Sequence, residues 1–163
     1  EPDYDVLMRY RLDILDEHGL KLSDIQEVIS DLSPLPAARK FLDTLRDRTQ
    51  VIILSDTFLQ FANPLMRQLG WPTLFCNHLE IVDDRVAGYH LRQSDQKRQS
   101  VLALKSLNYT IISAGDSYND TTMLAEADKG IFFRAPANVK AEFPQLSAAE
   151  EYSDLMAEIE KEL

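Results

Sequence analysis

Gly115-Asp116-Ser117-Tyr118-Asn119-Asp120 puts two carboxylates close together, directly after the apolar run Thr110-Ile111-Ile112-Ser113-Ala114 and directly before an amphipathic segment. That order reads as strand, loop and helix. Open α/β sheets bind ligands outside the carboxyl ends of their strands, so these acids face a pocket. Two hard oxygen donors at such a place suit magnesium. The plainer reading is local, with Asp116 making an Asx-turn and Asp120 capping the next helix. Ser55 and Lys97 occupy comparable places. Ser55 ends the run Val51-Ile52-Ile53-Leu54, and Lys97 opens a helical segment leading into the strand before Asp116. Phosphoryl transfer spreads negative charge over the equatorial oxygens, so it asks for a metal, a cation and hydrogen-bond donors in fixed positions. A strand-end hydroxyl beside the N–H groups of a following helix suits phosphate oxygens, and Lys97 is a compact positive charge. Separately, a helix-capping Ser55 and a surface Lys97 explain the same letters.

The elements that must carry these residues follow from periodicity. Tyr4 to Glu17 predicts a helix, with Met8, Leu12 and Leu15 on one face and Gly19 as its stop. Ser23-Asp24-Ile25-Gln26 resembles a capping box and opens a second helix carrying Ile25, Val28, Ile29 and Leu32. Pro34 and Pro36 mark a loop, and a third helix buries Ala38, Phe41, Leu42 and Leu45. Val51–Leu54 is continuously apolar, as in a parallel strand covered on both faces. Then come a helix from about Phe58 to Leu69, a break at Trp71-Pro72, and a short strand Thr73–Cys76. A surface hairpin follows, its strands Leu79–Val82 and Arg85–Tyr89. Lys97–Leu107 predicts a helix, Thr110–Ala114 a strand, Asp120–Glu126 a helix, Gly130–Phe133 a strand and Glu150–Leu163 an acidic terminal helix with a solvated face. Strands alternating with helices mean βαβ units and a parallel sheet.

Composition removes several function classes. With 27 Asp+Glu against 17 Lys+Arg, the 163-residue chain carries a formal charge of -10, the wrong sign for neutralising nucleic-acid phosphates. No apolar stretch approaches the ~20 residues that span a bilayer, so no membrane role is expected. Cys76, the one cysteine, lies in the apolar run Thr73-Leu74-Phe75-Cys76 and reads as a buried hydrophobe in a reducing, cytoplasmic setting. His18, His78 and His90 have no ligand spacing. Trp71 reads as packing at the core edge. Tyr118 is either a pocket residue or an exposed loop residue.

Val51-Ile52-Ile53-Leu54-Ser55, then Lys97, then Gly115–Asp120 resemble the second, third and fourth motifs of the haloacid-dehalogenase-like phosphatases. The resemblance runs through nearly the whole chain and is nearest to phosphoserine phosphatases of the type that also transfer phosphate to homoserine. Val51–Phe58, Pro64–Gly70 and Gly115–Leu124 carry most of that closer likeness. It implies an α/β fold with a Rossmann-like doubly wound parallel sheet and a small helical cap, with residues 1–34 part of the cap and 35–163 the core. It implies a magnesium-dependent phosphomonoesterase of amino-acid (serine) biosynthesis, acting on a small phosphorylated amino acid through an aspartyl phosphate, and leaves room for a homodimer. By the same resemblance Ser55, with Asp56 and Thr57 beside it, binds the phosphate, and Lys97 neutralises the phosphoryl group. Asp116 ligates Mg2+, and Asn119 and Asp120 complete or orient that site. Arg11 resembles the arginine that grips the substrate carboxylate; a solvated helix arginine is the equal alternative.

The family's first motif, a buried strand ending in Asp-x-Asp or a close variant, supplies the attacking and protonating acids. Asp3-Tyr4-Asp5 has the letters, but no apolar strand precedes it and an amphipathic helix follows. In the family's sheet that strand lies between those ending here at Ser55 and Ala114. Without it the two stand about 9.5 Å apart with unpaired backbone groups. The expectation is therefore a portion of a longer protein, inactive as it stands, or a sheet closed in another way. A non-catalytic protein that binds a phospho-amino acid on the same scaffold is the rival reading.

Overall fold

The computed structural model describes residues 4–163, so Asp3 lies outside the described residues, and Tyr4 begins the first helix. The order is α1 (Tyr4–Glu17), α2 (Leu22–Ser30), α3 (Ala38–Arg46), β1 (Ile52–Phe58), α4 (Leu59–Gln68), β2 (Thr73–Val82), β3 (Arg85–His90) and α5 (Gln96–Ser106). Next come β4 (Ile112–Gly115), a 3-10 turn (Tyr118–Asp120), α6 (Thr121–Glu126), β5 (Lys129–Phe133), α7 (Ala137–Glu142), β6 (Ser147–Ala149) and α8 (Tyr152–Glu160). The chain forms two compact units: one takes residues up to Arg39 and Val51–Arg92, the other Lys40–Gln50 and Gln93–Leu163.

The first unit holds a sheet of order β1-β2-β3, parallel between β1 and β2 and antiparallel between β2 and β3. The short strand and the first hairpin arm expected from sequence are one continuous strand, β2. The turn to β3 places both Asp83 (φ 49) and Asp84 (φ 63) in the left-handed region, as a two-residue type I′ turn requires and Asp tolerates. Met8 of α1, Phe58 and Leu79 form a buried cluster, with Phe61, Ile81, Val86 and Tyr89 packed on it. Gly19 (φ 63) ends α1, where a side chain would be strained.

The α2 start differs from the expected capping box. The N-cap is Lys21, whose N–H donates to the Asp24 carboxylate (2.8 Å). Ser23 turns to the hairpin instead, its hydroxyl donating to Asp84 at 2.6 Å and its N–H at 3.2 Å, while Leu22 N–H donates to the Asp84 carbonyl at 2.7 Å. A turn from another part of the chain thus meets the orphan donors at this helix start.

The second unit holds the all-parallel sheet β4-β5-β6. Its core is Val101, Leu124, Ile131, Phe132, Val139, Leu155 and Ile159. Burial on both faces, expected of Val51–Leu54, is instead met by Gly130, Ile131 and Phe132 of β5; residues 51–54 are half-buried. β1 and β4 belong to different sheets. The sequence reading passed over α7 and β6, which are short. It also made the last helix too long: α8 runs Tyr152–Glu160, and Leu155 and Ile159 are buried. Trp71, expected at the core edge, is 59% exposed, and its backbone is left-handed (φ 55) at the turn between α4 and β2.

Candidate active site

β4 ends in small residues, Ser113-Ala114-Gly115, and the chain then turns back on itself through the 3-10 turn. Asp120, on that turn, points inward and is 5% exposed. Its Oδ1 accepts from Lys97 Nζ at 2.8 Å. Its Oδ2 accepts from Asp116 N–H (3.0 Å), Ser117 N–H (3.2 Å) and the Ser117 hydroxyl (3.0 Å). Burial pushes the Asp120 carboxyl up, but the Lys97 ammonium and the Asp116 and Ser117 donors outweigh it and hold its pKa below the ordinary value. Asp120 is therefore ionised at neutral pH and ties the loop to α5.

Gly115 is required by this arrangement. A Cβ there would lie 2.5 Å from Asp120 Cβ and 2.7 Å from its Cγ, so any side chain would displace the carboxylate. Asp116 and Asn119 are exposed on the outer side of the same loop. Tyr118, left open by the sequence, is 45% exposed and donates its hydroxyl to Glu142 of α7. That hydrogen bond, with minor help from burial and the nearby charge, raises the phenol's pKa.

The two acids of the loop thus have different work. Both Asp120 oxygens are engaged by protein donors, which leaves Asp116 as the acid available to a cation. Among the described residues no group of three His, Cys, Asp or Glu converges. One carboxylate fits Mg2+, which is commonly held by one or two carboxylates with water and phosphate oxygens, and does not fit an all-protein cage.

Ser55, Asp56 and Thr57 lie in the first unit, as does Arg11. Ser55 was expected to end its strand; instead β1 continues to Phe58 and α4 starts at Leu59. The ladder opens at this point. Leu54 pairs with Phe75 and Phe58 with Asn77, so Ser55–Thr57 stand opposite Cys76 alone. Ser55 Oγ accepts from Thr57 N–H at 3.2 Å. Arg11 is exposed on α1, with Nη1 3.9 Å from Met8 Sδ. Cys76 is 3% exposed, and burial raises its thiol pKa, as suits an inert packed cysteine.

Sequence reasoning missed the parts played by Ser117 and Asn77. Ser117 was legible as a hydroxyl three residues before an acid. Asn77 read as a break between two strands, whereas a buried amide inside one strand is itself a signal.

The haloacid dehalogenase-like hydrolase family matches residues 4–128. The chain is 66% identical over 161 residues to the phosphoserine phosphatase ThrH of Pseudomonas aeruginosa, covering 98% of this chain and 78% of that protein. It is 65% identical over 162 residues to a phosphoserine phosphatase of Pseudomonas syringae pv. tomato, covering 98% and 68%. Among solved structures, an apo phosphoserine phosphatase aligns with a TM-score of 0.71 at 21% identity, covering 86% of this chain and 73% of that one. A phospho-aspartyl intermediate analogue of phosphoserine phosphatase aligns at 0.70 and 21%, covering 87% and 70%. At that identity the structural likeness speaks for the fold.

The chain belongs to the haloacid dehalogenase-like hydrolase family. Its sequence relatives within that family are phosphoserine phosphatases, which favours an enzyme over the non-catalytic reading.

Proposed function

We propose that the protein is a magnesium-dependent phosphoserine phosphatase that works through an aspartyl phosphate. The observation that carries the reading is the buried Lys97–Asp120 pair holding the Asp116 loop at the end of β4, in a chain 66% identical to a phosphoserine phosphatase.

On this reading each residue has a role. Ser55, with Asp56 and Thr57, binds phosphate oxygens from the opened part of β1. Lys97 offsets the charge of the phosphoryl group, and Asp120 holds it by a 2.8 Å ion pair. Asp116 is the Mg2+ ligand, with Asn119 beside it. When bound, Mg2+ supplies Lewis-acid stabilisation of phosphoryl oxygens. Arg11 grips the substrate carboxylate from the cap, to which residues 1–34 belong, with residues 35–163 as the core. The attacking carboxylate is not assigned to a described residue. No described helix is long and apolar enough to cross a membrane, and a cytoplasmic role in amino-acid biosynthesis accords with a free, buried Cys76.

The test is phosphate release from phosphoserine by the full-length protein, with Mg2+ and with a chelator, for wild type and Asp116→Asn. Turnover should require Mg2+ and be lost in the variant. Mg2+-dependent turnover persisting in Asp116→Asn would remove the metal assignment, and failure of the wild type to prefer phosphoserine over other phosphomonoesters would remove the substrate. Adding homoserine to the same assay tests it as a phosphate acceptor.

A further inference from the structure

Asn77 lies in β2 between Cys76 and His78, and it is 3% exposed. A buried primary amide is costly unless both its ends are bonded. Both are. Its Nδ2 donates to the Asp56 carbonyl at 3.0 Å, and its Oδ1 accepts from the Arg92 N–H at 3.0 Å. The Asp56 carbonyl and the Thr57 N–H belong to the same peptide unit. That unit sits where the β1–β2 ladder opens, and its N–H end donates to Ser55 Oγ at 3.2 Å. One peptide plane is therefore gripped at its oxygen by Asn77 and at its nitrogen by Ser55. The Thr57 N–H bond fixes where Ser55 Oγ stands, and a hydroxyl held in place is what recognition of a phosphate oxygen needs.

We propose that Asn77 is a positioning residue for phosphate binding: by holding the Asp56–Thr57 peptide it sets the direction of the Ser55 hydroxyl. This rests on the reading of Ser55 as the phosphate-binding hydroxyl. Asn77 itself touches no substrate. Arg92, whose backbone it holds, carries its guanidinium over the Phe75 ring at 4.7 Å, so the far anchor of the amide is itself packed in place.

The experiment measures inorganic phosphate affinity of the full-length protein, well below the melting temperature, for wild type, Ser55→Ala, Asn77→Leu and the double variant. Leu keeps the branched shape of Asn without adding a charge that would itself repel phosphate. Asn77→Leu should weaken phosphate about tenfold, and the double variant should bind no more weakly than Ser55→Ala, because both changes remove the same oriented donor. A purely structural role would lower stability while leaving phosphate affinity unmoved. If Ser55→Ala weakens phosphate and Asn77→Leu does not, the positioning role is overturned while the reading of Ser55 stands. If Ser55→Ala itself changes nothing, the reading of Ser55 falls and takes this inference with it. Amide hydrogen exchange gives a second readout that needs no ligand: Thr57 N–H should exchange about tenfold faster in Asn77→Ala, and unchanged exchange would overturn the anchor.

Discussion

Asp120→Asn is the perturbation whose size the structure sets best. The side chains of Lys97 and Asp120 are 13% and 8% exposed, and their charged atoms lie 2.8 Å apart. Asn keeps one oxygen. If that oxygen faces Asp116 and Ser117, the amide NH2 is turned on the Lys97 ammonium, donor against donor; the opposite flip strands three donors. Removing one partner of a buried pair costs about 3–5 kcal/mol, a large part of a total of about 5–15 kcal/mol. For a chain of this size that is a fall in Tm of roughly 6–20 °C. Urea and thermal unfolding followed by circular dichroism measure it. Asp120 has a folded pKa below its unfolded value, so its stabilisation is present above the unfolded pKa and is lost as pH falls through the folded one. The gap between wild type and variant should hold from about pH 8 to pH 5 and narrow below about pH 4. Lys97→Met combined with Asp120→Asn should lose less than the sum of the two, since no lone charge is left buried. A loss under about 1 kcal/mol at neutral pH, or additive single variants, would refute the reasoning.

Gly115→Ala should destabilise by about 1–3 kcal/mol, because its Cβ would fall 2.5 Å from Asp120 Cβ; urea unfolding reads this. Asp116→Asn, at an exposed position, should leave Tm within about 1 °C while abolishing Mg2+-dependent turnover, which separates a ligand from a structural acid. Asp84→Gly preserves the left-handed backbone (φ 63) but removes the carboxylate that serves Ser23. Its cost should be about 0.5–2 kcal/mol, with faster amide exchange concentrated in α2.

The long elements were legible because their periodicity is local. The span of α1 agrees with its apolar stripe, and β4 and β5 fall on their β-branched and apolar runs. What failed was decided by partners far along the chain. The capping of α2 depends on Asp84, 61 residues after Ser23. The run of β1 past Ser55 depends on a ladder that resumes at Asn77. The pairing of β1 with β2 and of β4 with β5, in two sheets, is a property of strand partners that no single strand's sequence encodes.

For the candidate site the division falls within one loop. Its residue types, order and place after a strand follow from Gly115 to Asp120 as written, because donors and acceptors are properties of side chains and a strand's end is a local event. Which acid serves which purpose is not local. Asp120 is turned inward because Lys97, brought in by α5, and the backbone of its own loop together outweigh the cost of burying a carboxylate. Asp116, the same residue type four residues earlier, is exposed, while its own N–H and the two donors of Ser117 serve Asp120.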